Sequence, residues 1–139
     1  MSDTDSVQPP RKNVLLVEDD PELLRTLDRL LTSDGHVVTT ASSEVAARAA
    51  ALAAGPFAFG VLDINLTPGN GLDLAIDLRA RGAIREWVLF TGGCDEETLL
   101  RAEASGVVIF KPNIDELRQK IRSRIARDSS FPSAPPPRL

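Results

Sequence analysis

Five short apolar runs alternate with five helical patterns along this chain, and few folds accept that order. The runs are Asn13–Val17 (NVLLV), His36–Ala41 (HVVTTA), Phe57–Leu62 (FAFGVL), Trp87–Phe90 (WVLF) and Val107–Phe110 (VVIF). After the first run, Pro21 follows acidic residues suited to a helix start, and Leu23, Leu24, Leu27, Leu30 and Leu31 recur at helical spacing until Gly35. Ser43–Ala54 is an Ala-rich helix stopped by Gly55-Pro56. Leu72–Arg81 is a helix with Gly82 beyond it. Asp95, Glu96 and Glu97 open a helix running to Ser105, and Ile114, Leu117, Ile121 and Ile125 form the apolar stripe of a last one. Strict alternation with short connections predicts a parallel sheet covered by helices on both faces. Continuous apolar runs suit strands buried on both sides.

Composition narrows the function classes. The chain has 139 residues, enough for one domain. Its 4% aromatic content, with no Tyr, predicts an aliphatic core. Lys and Arg total 16 against 20 acids, a net charge of -4, which argues against a duplex nucleic-acid binder. Cys94 is the only cysteine and His36 the only histidine, which excludes an internal disulfide, a Cys-cluster metal site and a two-His site. No run approaches the ~18 apolar residues of a membrane span. The N-terminus shows no secretory signal, so a cytoplasmic location is expected. The expected domain runs over residues 13–127. Residues 1–12 and the Pro-rich stretch 128–139 read as disordered tails that bury too little to offset their ordering entropy.

In an open parallel sheet the site lies beyond the carboxyl ends of the strands. There stand Glu18, Asp19 and Asp20 after the first strand, and Asp63 and Asn65 after the third. Thr91 follows the fourth and Lys111 the fifth. Clustered carboxylates repel one another, and a divalent cation relieves that repulsion. Hard oxygen donors suit Mg²⁺. A hydroxyl and an ammonium beside the same Asp supply donors for a phosphoryl group. Asp63 can then act as a carboxylate nucleophile that forms an aspartyl phosphate. Asp20 taken alone reads as a helix cap.

The ordered pieces LLVEDDP, VLDINLTPGNGL, VLFTG and FKP make Asn13–Arg127 resemble the receiver domains of bacterial two-component response regulators. The resemblance implies a flavodoxin-like, doubly wound (βα)5 fold with strand order 2-1-3-4-5. It implies Asp63 as phosphoacceptor, and Mg²⁺ held by Glu18, Asp19, Asp63 and the backbone carbonyl of Asn65. Thr91 and Lys111 match the residues that bind phosphoryl oxygens, and Pro112 matches a proline the family often places after a cis peptide. The implied partners are a histidine kinase or phosphotransfer protein and an unidentified downstream protein, with no nucleic acid and no membrane. A monomer or weak dimer is expected. Such a chain is a phosphoacceptor and not an enzyme in the ordinary sense. As only a short stretch follows Arg127, either a stand-alone receiver or a receiver excised from a larger chain is expected, signalling by protein contacts.

Three departures from the family pattern stand out. Val108 occupies the position, three before Lys111, where many receivers carry an aromatic switch. Phe110, one residue before Lys111, is expected on the opposite strand face. The Thr91–Lys111 stretch is short, with the shortening between the fourth helix and fifth strand. Gly92-Gly93 after Thr91 predicts an unusually mobile loop.

Two other functions compete with this one. DINLT (Asp63–Thr67) echoes the DxDxT motif of phosphatases that form aspartyl phosphates, but Asn65 stands at the general acid's position. A pseudo-receiver that binds without phosphorylation needs a missing site residue, and none is missing. Cys94 reads as an incidental thiol, His36 as structural, and Trp87 as a cover over a strand start far from the site. Arg118, Lys120, Arg122, Arg124 and Arg127 read as a solvated basic face, or as a docking surface for an acidic partner.

Overall fold

A computed structural model describes residues 12–127. The expectations for the tails concern residues outside that span, except for Lys12. It is buried, and its carbonyl accepts from Val37 N at 2.9 Å.

The strands are β1 (Asn13–Val17), β2 (Val37–Ala41), β3 (Phe57–Leu62), β4 (Ile84–Thr91) and β5 (Val107–Phe110). They alternate with α1 (Pro21–Ser33), α2 (Glu44–Ala54), α3 (Gly71–Ala80), α4 (Glu96–Ser105) and α5 (Ile114–Arg127). Every strand pair is parallel, and the order is β2-β1-β3-β4-β5, as expected.

Helix starts follow from local chemistry. Asp20 caps α1, its carboxylate accepting from Glu22 N and Leu23 N at 3.0 and 3.4 Å, and Pro21 opens the first turn, where no amide bond is needed. Ser43, Asn70 and Asp95 cap α2, α3 and α4 in the same way. Of the three acids after β1, Asp20 is therefore occupied as a cap.

Two apolar layers sandwich the sheet. Ala47 of α2, Leu72, Leu74, Ala75 and Leu78 of α3, and Ala102 of α4 pack against one face. Leu27 and Leu31 of α1 and Leu117 and Ile121 of α5 pack against the other. Each fully buried Leu or Phe contributes about 1.5–3 kcal/mol. Central β3 is buried along its whole length, whereas edge β2 is largely half-buried, which explains FAFGVL in one and VVTTA in the other.

The structure corrects several expectations. β4 begins at Ile84, not Trp87. Ile84 pairs with Phe57 and Glu86 with Phe59, so the polar stretch that hid the strand is held in the sheet by its neighbours' pairing. Trp87 thus lies within the strand, not at its start. Its ring packs on Gly106, where a Cβ would come within 2.8 Å of the indole, and Gly106 alone joins α4 to β5. That one-residue connection lies where the Thr91–Lys111 stretch is expected to be short. Val107 and Ile109 enter the α1/α5 layer and Val108 the other. Strand alternation therefore puts Phe110, 39% exposed, on Val108's side rather than opposite it. The basic face of α5 is not simply solvated. Arg118 grips Asp34 in a two-point ion pair (2.7 and 2.9 Å), and Arg124 reaches Glu86 on β4 at 2.6 Å.

Candidate functional site

Parallel register brings the strand ends to one level. Val17 pairs with Ala41 and Leu62, Leu62 with Leu89, and Thr91 with Phe110. Hydrogen bonding continues one residue further, fixing the backbone under the site. Glu18 N donates to Ala41 O and Asp63 N to Val17 O, both at 3.1 Å, and Lys111 N donates to Thr91 O at 2.8 Å.

On this platform Glu18, Asp19 and Asp63 bring one carboxylate oxygen each within 4.8 Å of one another. Glu18 is 2% and Asp63 4% exposed. Lys111 Nζ lies 3.0 Å from both Glu18 Oε1 and Asp63 Oδ2. Asp63 Oδ1 accepts from Asn65 N at 3.0 Å, and Glu18 Oε2 accepts from Asp20 N at 3.1 Å. Thr91 is fully buried, but its hydroxyl is engaged by Asn65 and Gly93. The Lys111-Pro112 peptide is cis, as expected; Gly55-Pro56 and Thr67-Pro68 are cis as well.

The electrostatics follow from burial and crowding. Burial pushes the Glu18 carboxyl above its usual pKa; the Asp20 amide and Lys111 oppose this, and the Asp63 charge adds to it. Burial alone would lower the Lys111 pKa, but Asp63 and Glu18 outweigh it and the pKa is raised. Three carboxylates thus face one ammonium, leaving uncompensated negative charge on hard oxygens around one point. That donor set fits a divalent cation of the Mg²⁺ kind. By contrast, burial and the charges of Asp95 and Glu103 push the Cys94 thiol up, away from reactivity. Burial holds the His36 pKa below its usual value.

Two features of the site have no signal in the sequence. Gly71, the first residue of α3, packs directly on the Asp63 carbonyl, and its amide donates to Ile64 O at 2.9 Å. PGNG in the sequence signals only a turn. Asn65 is expected to act through its backbone carbonyl, yet its side chain crosses to the loop after β4.

A doubly wound sheet with an acid cluster, an ion-paired lysine and a buried threonine at its carboxyl edge defines a receiver. Residues 14–122 match the response regulator receiver domain family, and the chain belongs to it. It is 32% identical over 126 residues to the photosynthetic apparatus regulatory protein RegA of Cereibacter sphaeroides, covering 91% of this chain and 67% of RegA. It is 34% identical over 108 residues to the alginate biosynthesis transcriptional regulatory protein AlgB of Pseudomonas aeruginosa, covering 76% of this chain and 24% of AlgB. It is 32% identical over 101 residues to the acid tolerance regulatory protein ActR of Rhizobium meliloti, covering 73% of this chain and 52% of ActR.

Among solved structures, a CheY-like receiver domain protein from Methanospirillum hungatei shares the fold (TM-score 0.73, 24% identity, 84% of this chain and 94% of that one). TrrA of Thermotoga maritima, solved in complex with Mg²⁺ and BeF, superposes with a TM-score of 0.69 at 25% identity, over 81% and 97% of the two chains. The chain is therefore a two-component signalling receiver, from a family that signals rather than one of ordinary enzymes. Among the described residues no helix is long and apolar enough to cross a membrane.

Proposed function

We propose that Asp63 accepts a phosphoryl group from the phosphohistidine of a histidine kinase or phosphotransfer protein. One Asp63 oxygen attacks phosphorus, the P–N bond breaks, and its electron pair stays on the histidine nitrogen. The observation that carries this reading is the position of Lys111 Nζ, 3.0 Å from both Asp63 and Glu18. The ammonium holds the nucleophile in place and stands ready to neutralise an incoming phosphoryl oxygen. Thr91 supplies a second donor from β4. Glu18, Asp19, Asp63 and the Asn65 carbonyl would hold Mg²⁺, which when bound would neutralise charge on the transferring group. The Mg²⁺–BeF complex of TrrA supports the same assignment here.

Residues 13–127 serve as the receiver unit in this reading. A net charge of -4 favours output through protein contacts over direct DNA binding. The test is incubation with acetyl phosphate and Mg²⁺, read by intact mass. The wild type gains one phosphoryl group and Asp63→Asn gains none. Phosphorylation of the variant at the wild-type rate would remove Asp63 from its role. Asp19→Ala should abolish the NMR shifts that Mg²⁺ induces around Glu18 and Asp63.

A further inference from the structure

Asn65 does two separate things. Its backbone amide holds Asp63 Oδ1. Its side-chain Nδ2 crosses to the end of β4, donating to Gly93 O at 2.5 Å and to Thr91 Oγ1 at 3.3 Å. Gly93 N also donates to Thr91 Oγ1 at 3.3 Å. A hydroxyl has two lone pairs and one hydrogen. Both lone pairs of Thr91 thus meet N–H donors, and its hydrogen turns to Gly93 O at 3.4 Å, back into its own loop. Gly93 makes this possible with φ +144, a conformation side-chain-bearing residues rarely adopt. The Gly92-Gly93 loop, expected to be mobile, is therefore pinned from across the site.

We propose that the Asn65 side chain is a latch that holds Thr91 and Gly93 in the unphosphorylated arrangement and opposes phosphoryl capture by Thr91. The proposal rests on Asp63 being the phosphoacceptor. To donate to a phosphoryl oxygen, the Thr91 hydrogen must leave Gly93 O, and the hydroxyl must turn away from the Asn65 amide. The latch stabilises only the free form, so it shifts the equilibrium against the phosphoryl-bound one. Asn65 acts here as a positioning residue. It is exposed, so replacing it leaves the core intact.

The test compares wild type with Asn65→Ala and with Asn65→Leu, which keeps roughly the shape of Asn without its donors. In the free proteins, hydrogen exchange at Gly92–Asp95 should quicken in both variants. With Mg²⁺ present, both should bind beryllofluoride about five-fold more tightly, the order that one lost hydrogen bond supports. A merely structural role would weaken that binding instead. Wild-type binding with no gain in the variants, or unchanged loop exchange, overturns the latch alone. Failure of the wild type to bind beryllofluoride overturns the phosphoacceptor assignment, and the latch falls with it.

Discussion

Gly71 packs its α-carbon against the carbonyl of Asp63, so the first turn of α3 and the residue at the centre of the site share one space. Any Cβ at position 71 would enter the Asp63 backbone, which cannot yield without moving the carboxylate. Gly71→Ala should therefore cost about 1–3 kcal/mol of stability. It should also weaken Mg²⁺ binding, because Asp63 shifts against Glu18 and Asp19. Urea unfolding and Mg²⁺ titration check the two effects. Normal stability with normal binding would mean that the loop absorbs the clash.

Lys111 neutralises two buried carboxylates. Lys111→Ala leaves Glu18 and Asp63 facing each other with no ammonium between them. Removing one partner of a buried ion pair costs about 3–5 kcal/mol, and the lower end is expected because the Lys111 side chain keeps 22% of its exposure. Mg²⁺ should restore part of the loss, so unfolding of the variant should respond more strongly to Mg²⁺ than that of the wild type. Equal responses would show that the two cations do not relieve the same repulsion.

Asp34 ties α1 to α5 through Arg118, whose hydrogen bonds hold its carboxyl below the usual 3.8; partial burial opposes this. A pKa lowered in the folded state contributes stability above the unfolded value and loses it as pH falls through the folded value. Asp34→Asn should be less stable than wild type at neutral pH, and the gap should narrow as the pH drops below the ordinary Asp range. Urea unfolding across that range reads the gap. A gap independent of pH would exclude the charge as its source.

Trp87 lies on Gly106, and the indole leaves no room for a Cβ there. Gly106→Ala should displace the ring, cost about 1–3 kcal/mol and shift the Trp87 fluorescence. As Trp87 is the only tryptophan, its emission reports this contact directly. An unchanged spectrum and stability would mean that α4 moves instead.

Much of this protein was determined by the order of its residues. Apolar runs followed by helical stripes specify a parallel βα sheet because short strands buried on both faces accept uninterrupted Val, Leu and Phe. Residues directly after each strand must then meet at one edge, so Glu18, Asp19, Asp63, Thr91 and Lys111 could be named from position alone. What stayed hidden depends on contacts between segments distant in the chain. The polar start of β4 is a strand because Phe57 and Ile84 pair, and local hydropathy carries no trace of that partner. The close approaches of Gly71 to Asp63 and of Gly106 to Trp87 exist only once those partners are placed against them. The Asn65 amide reaches Gly93 across a gap of 28 residues in sequence, and no periodicity encodes such a bond. Local pattern decides which elements form and what their ends present. Tertiary packing decides which hydrogen each donor gives away, and so whether Thr91 faces the site or its own loop.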